Sequence, residues 1–188
     1  MRVFITIDFP ENLKKRLYTT AKKLKVKARQ GNFTYFDNLH FTVVFIGEVN
    51  PGKIVKIKKA MNQVSVHSFD ISFQRLDHLK KHGGDIYWIG IREVQETRAL
   101  TELYNQLCEF LDGAGFNIEK RKLKPHLTLG RNVTMLDSFD IAKFATHIPK
   151  MQMTVDQVSL ITSEQIAGKL VYTKLYSFAL PKQKLVES

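Results

Sequence analysis

Apolar residues recur along this chain with a period of two in some stretches and of three to four in others, and the alternation predicts an order of elements. Residues 3–7 read as a strand, and Pro10 suits the first turn of a helix whose Leu13, Leu17, Ala21 and Leu24 form one stripe. Gly31 and Asn32 break that pattern before a short extended approach; a strand follows over residues 39–46, ended by Gly47. Asn50, Pro51 and Gly52 open a second helix carrying Ile54, Ile57, Met61 and Val64, after which Phe69, Ile71 and Phe73 alternate as a strand. A loop is expected over residues 76–85 and a strand over IYWIGI, residues 86–91. Leu100, Leu103, Leu107 and Phe110 mark a third helix stopped near Gly113 and Gly115, and PHLTLGR, residues 125–131, is strand again. A short helix over residues 139–145 and two long strands over residues 151–162 and 169–180 complete the order.

Strands and helices mixed in this way, with long apparent hairpins near the C-terminal end, predict an α+β architecture. Mostly antiparallel sheets line a central cleft and helices cover the outside. A doubly wound parallel sheet is disfavoured because no Gly-rich nucleotide loop follows any strand. The expectation is one domain over residues 1–188, made of two intertwined lobes, each carrying one of two related strands.

Composition narrows the function. A length of 188 residues with 44% hydrophobic content supports a core without staples, and the single Cys108 excludes an internal disulfide framework. Cys108 falls on the third helix as a small buried residue, so no thiol chemistry is expected. The apolar runs are too short for a membrane span, and Asp8 and Glu11 interrupt what would be a signal peptide, which predicts a cytoplasmic protein. The net charge of +11 biases the surface toward polyanions such as RNA, because Lys and Arg on a phosphate backbone release condensed counterions. The densest clusters are residues 14–29, 53–59 and 120–124. For any one of them a merely solvated helix face is the simpler account.

The candidate chemistry lies in NLHFTVVFIG, residues 38–47, and PHLTLGR, residues 125–131, each with His-x-Thr inside an apolar run. Strand alternation puts His40 with Thr42 on one face and Phe41 with Val43 on the other, and sorts His126 and Thr128 from Leu127 and Leu129 in the same way. Within each pair the Cα atoms are roughly 6 to 7 Å apart, so an imidazole and a hydroxyl reach one phosphate-sized group. One such pair is ordinarily a half-buried hydrogen bond; two copies of the same parity, opposed across a cleft, supply an acid, a base and two donors for phosphate oxygens. Arg131 is out of phase with Thr128 and requires a bulge or strand end at Gly130 to reach the phosphate. His67, His78, His82, His147 and Cys108 lack the spacing of a metal site, and no carboxylate cluster supports Mg²⁺, so no cofactor is expected. Phe36, Tyr87 and Trp88 are candidate base-stacking platforms, with core packing expected for at least two.

NLHFTVVFIGEV and PHLTLGR, together with RVFITIDFP at the N-terminus, resemble the signatures of the two-histidine phosphoesterase superfamily, in its RNA 2',3'-cyclic phosphodiesterase (2'-5' RNA ligase) branch. The similarity in layout runs over about residues 2–180 and departs from the branch at QRLDHLKKHGGD, residues 74–85. The resemblance implies a pseudo-twofold fold and metal-free opening of a terminal 2',3'-cyclic phosphate to a 2'-phosphomonoester, with 2'-5' ligation as the reverse direction. It also implies His40 as acid, His126 as base, and Thr42, Thr128 and Arg131 on the phosphate. The expected partners are RNA ends or cyclic nucleotides, with no membrane and no protein partner, the chain acting as a monomer. Hydrolysis of small cyclic nucleotides and non-catalytic binding of RNA ends are the alternatives.

Overall fold

The computed structural model describes residues 1–95, 98–119 and 122–182. Nine strands and four α-helices are assigned among them, with two single-turn 3-10 helices at Phe36–Asn38 and Pro51–Lys53: β1 (Arg2–Asp8), α1 (Glu11–Lys25), β2 (Ala28–Phe33), β3 (His40–Glu48), α2 (Ile54–Met61), β4 (Phe69–Leu79), β5 (Asp85–Glu93), α3 (Ala99–Gly113), β6 (His126–Met135), α4 (Ile141–Ala145), β7 (Met151–Val155), β8 (Gln157–Ile166) and β9 (Lys169–Ala179). The strands form two antiparallel sheets, ordered β3-β1-β8-β9 and β2-β6-β5-β4-β7, so the α+β expectation holds. Each His-x-Thr strand lies in a different sheet.

The core takes one face from each sheet. Ile5, Ile7 and Phe41 from the first sheet and Ile71, Ile89, Leu127 and Leu129 from the second are buried in one cluster, closed by Leu17 and Leu24 of α1, Ile57 and Met61 of α2, and Leu103 and Leu107 of α3. A fully buried Leu such as Leu17 makes a truncation to Ala cost about 2–5 kcal/mol. Helix ends follow local chemistry. Lys22, Lys23 and Lys25 close α1 where the helix dipole favours cations. The Glu93 carboxylate, at the end of β5, accepts from the N–H groups of Ala99 (3.1 Å) and Leu100 (2.7 Å) and so caps α3.

Four expectations are corrected. The loop over residues 76–85 is shorter, because β4 continues to Leu79 and β5 begins at Asp85. What breaks the alternation is a bulge at Arg75 (φ 54°), after which Leu76 is again buried and pairs with Ile89. The turn that remains packs on β6: a Cβ at Gly84 would lie 2.5 Å from the Asn132 carbonyl carbon, so only glycine fits there. The predicted strand over residues 151–162 is two strands in different sheets, divided at Asp156, whose carbonyl accepts from Leu180 N. Residues 28–33, polar and interrupted by Gly31, nevertheless form the edge strand β2 against β6, with register slips. The short helix starts at Ile141 and not at residue 139, because the Asp140 side chain accepts from Lys143 N and caps it. No helix among the described residues is long and apolar enough to cross a membrane.

Candidate active site

His40 and Thr42 on β3, and His126 and Thr128 on β6, line a single cleft of about 1120 Å³ between the sheets. Both motifs are built alike. His40 Nδ1 lies 2.8 Å from the Asn38 carbonyl and His126 Nδ1 lies 2.7 Å from the Lys124 carbonyl, two residues upstream in each case. A carbonyl only accepts, so Nδ1 carries the hydrogen in both rings and each neutral imidazole keeps Nε2 as its basic atom. Thr42 Oγ1 lies 3.0 Å from His40 Nε2.

Each motif strand also slips in register immediately after its Thr. Thr42 pairs with Thr6 and Val44 with Ile5, which leaves Val43 as an extra residue. Thr128 pairs with Trp88 and Gly130 with Tyr87, which leaves Leu129 extra. The second slip puts Arg131 in phase with Thr128, as the sequence required. Arg131 lines the cleft, and its Nη2 lies 3.4 Å from Thr128 Oγ1. Gly130 suits this crowded turn, since a Cβ there would meet Val133 Cγ2 at 2.9 Å and the Phe33 ring at 3.1 Å.

The two imidazoles differ in their surroundings. Phe4 and Tyr172 stand 5.2 and 5.1 Å from the His40 ring, centroid to centroid, whereas His126 is exposed, with the Trp88 ring edge-on at a centroid distance of 6.0 Å. Burial therefore holds the His40 pKa below its ordinary value, opposed by the Asn38 carbonyl and the Asp8 charge, while the Lys14 ammonium adds to the lowering. Burial would push the Asp8 carboxyl up. Lys174 at 2.6 Å, Ser159 at 2.8 Å and Thr6 at 3.2 Å outweigh it and hold the group below the usual carboxylate range. Tyr172 is raised by burial, against the pull of the Arg2 and Arg131 guanidiniums.

Sequence reasoning missed Arg2, Phe4, Asp8 and Tyr172. Their strands were recognised, but nothing in a single strand's alternation says which neighbouring strand will bring His40 beside it. Of the stacking candidates, Tyr87 is buried against His78 and Phe139, Phe36 packs half-buried on Tyr18, and Trp88 lies on the cleft side. Lys122 and Lys124 line the cleft, while Lys120 and Arg121 lie outside the described residues. Among the described residues no three His, Cys, Asp or Glu side chains gather as a metal site.

With two sheets facing a cleft that presents one His-x-Thr pair from each side, the chain belongs to the 2'-5' RNA ligase superfamily, whose signature it matches over residues 9–166. Among its relatives, the RNA 2',3'-cyclic phosphodiesterase of Methanocaldococcus jannaschii is 32% identical over 188 residues, covering 96% of this chain and 92% of that protein. The enzyme of the same name from Archaeoglobus fulgidus is 33% identical over 136 residues, covering 70% and 72%. The fold matches Escherichia coli LigT complexed with 3'-AMP at a TM-score of 0.76 and 26% identity, covering 95% and 97% of the two chains.

Proposed function

We propose that this chain is an RNA 2',3'-cyclic phosphodiesterase that hydrolyses a terminal cyclic phosphate to a 2'-phosphomonoester without a metal ion. The observation that carries this is the matched pair of Nδ1-anchored imidazoles, lining one cleft with Thr42, Thr128 and Arg131.

In the reaction, a base removes a proton from water as the water oxygen bonds to phosphorus. The bond from phosphorus to the ribose 3' oxygen breaks, and an acid delivers a proton to that oxygen. His126 Nε2 serves as the base and His40 Nε2 as the acid. Burial keeps His40 neutral in the free protein, so the acid role needs a proton taken up on binding; the phosphodiester anion arriving at Nε2, with Asp8 behind, supplies the charge that favours it. Thr42 then releases Nε2 and donates to a non-bridging oxygen. Thr128 donates to another, and Arg131 balances the charge growing there. A 5'-hydroxyl in place of the water gives the 2'-5' ligation direction with the same groups. The reading keeps the protein a monomer in the cytoplasm, where RNA is at hand and the buried Cys108 stays reduced.

The test is to incubate the protein with cyclic-phosphate-ended oligoribonucleotides and identify the product. A 2'-phosphate end, formed at an unchanged rate in excess EDTA, is expected. A 3'-phosphate product, or activity lost to the chelator and restored by a divalent ion, overturns the chemistry; binding with no turnover would leave an RNA-end-binding protein.

A further inference from the structure

The face of the second sheet that carries His126 and Thr128 does not stop at the catalytic cleft. His126 pairs with Gly90 and Thr128 with Trp88 on β5; Gly90 pairs with Gln74 and Arg92 with Ser72 on β4; Ser72 pairs with Gln152 on β7. Directly opposed residues share a face, so His126, Gly90 and Gln74 form one row, and Arg92, Ser72 and Gln152 form a second row on the same face, two residues along the strands and reaching β7, three strand spacings or roughly 14 Å from β6. The core residues Ile71, Phe73, Ile89, Ile91 and Leu127 alternate with them on the other face.

Along these rows runs a second depression of about 650 Å³, lined by Ser72, Gln74, Arg92, Gln152 and Arg98 and reaching Pro125, the residue before His126. Gly90 contributes no side chain at the junction. Glu93 also lines the depression, but its two carboxylate oxygens accept from Ala99 N and Leu100 N at the start of α3. Among the described residues no carboxylate pairs with Arg92 or Arg98. Guanidiniums, carboxamides and a hydroxyl, next to an indole already on the cleft side, are the groups that hold a phosphate, the edge of a base and a stacked ring.

We infer that this depression is a subsite for the nucleotide preceding the cyclic end of an RNA, with Arg92 on the connecting phosphate, Gln74 and Gln152 on polar edges of the nucleotide and Trp88 as the platform at the junction. The inference rests on the reading above and deepens it: the preferred substrate is an oligoribonucleotide, and a cyclic mononucleotide leaves this part of the face unused.

The test compares a 2',3'-cyclic mononucleotide with a short cyclic-phosphate-ended oligoribonucleotide on wild type, Arg92→Ala and Gln74→Ala. Arg92→Ala lowers kcat/KM for the oligonucleotide about tenfold, the loss of one charge-assisted contact, mainly through KM, and leaves the mononucleotide unchanged. Its salt dependence for the oligonucleotide also falls, by about 0.7 in log–log slope. An equal effect on both substrates, or none on either, overturns the subsite. If wild type turns over neither substrate, the catalytic reading fails separately. The subsite is then read by fluorescence anisotropy with a 2'-phosphate-ended oligonucleotide, which Arg92→Ala must weaken by the same factor for the inference to stand.

Discussion

The two motif strands share His-x-Thr in an apolar run and differ in where the fold puts them. β3 is the edge strand of a four-stranded sheet, yet its His40 is packed between Phe4 and Tyr172; β6 is interior to a five-stranded sheet, yet its His126 is exposed. Both keep the same anchor on an upstream carbonyl and the same slip after Thr. Local sequence thus sets tautomer and direction, while the surrounding sheet packs His40 and leaves His126 exposed. Two chemically identical groups become unequal in their surroundings, and the acid role proposed for the packed His40 needs the proton that an arriving phosphodiester anion favours.

The sharpest way to break the equivalence is to remove each ring in turn. His40→Ala and His126→Ala each lower kcat by about 10² to 10⁴-fold on a cyclic-phosphate substrate, while the fold persists because both rings line the cleft. With a leaving group acidic enough to need no proton, His40→Ala regains much of its rate and His126→Ala does not. Recovery in the His126 variant would exchange the roles, and recovery in neither would mean that both rings act by positioning or charge.

A smaller loss follows from the hydroxyls. Thr42→Ala and Thr128→Ala each lower kcat by about 10² to 10³-fold, one transition-state hydrogen bond apiece, with substrate affinity nearly unchanged. Arg131→Lys tests the second slip: it keeps the charge and loses the planar fork, so turnover falls between wild type and Arg131→Ala. Wild-type rates in Arg131→Ala would remove that residue from the phosphate.

Much of this was legible in the chain. The parity of His40 with Thr42 and of His126 with Thr128 follows from strand geometry alone, and the phase error at Arg131 required an irregularity that the structure has at Leu129 and Gly130. Parity says which face a side chain takes but not which other face meets it. Phe4, Asp8 and Tyr172 come to His40 from β1 and β9, and their approach depends on sheet order, a tertiary property. β2 was hidden for a different reason: its residues are polar and Gly31 interrupts them, so it is a strand only because β6 offers an edge to pair with. The division at Asp156 was hidden because β7 and β8 are both apolar enough to read as one run.

The asymmetry between the rings also has a pH signature. The limb of the kcat/KM profile that belongs to His40 lies below the ordinary imidazole value of about 6.5, because burial disfavours the imidazolium. Tyr172→Ala lets water reach the ring and moves that limb up. Asp8→Asn removes the charge that opposes the lowering, leaves Lys174 unneutralised, and moves it further down. Two variants shifting the limb in the same direction would mean that it reports another group.

The smallest expected effect is on stability, and it separates the rings without any substrate. Folding depresses the pKa of His40, so below about 6.5 the unfolded chain binds a proton that the folded protein resists. The contribution is complete above that value and is lost as pH falls from there through the folded value. Asp8 is depressed too, but its window opens lower, from the ordinary carboxylate value of about 3.9 downward. Between pH values of about 7 and 5 the urea midpoint of wild type therefore falls, and His40→Asn, which cannot titrate there, falls less. An identical decline in the two proteins would show that the packing of Phe4 and Tyr172 around His40 does not tax its charged form, and the inequality of the two motifs would then have to arise only when substrate is bound.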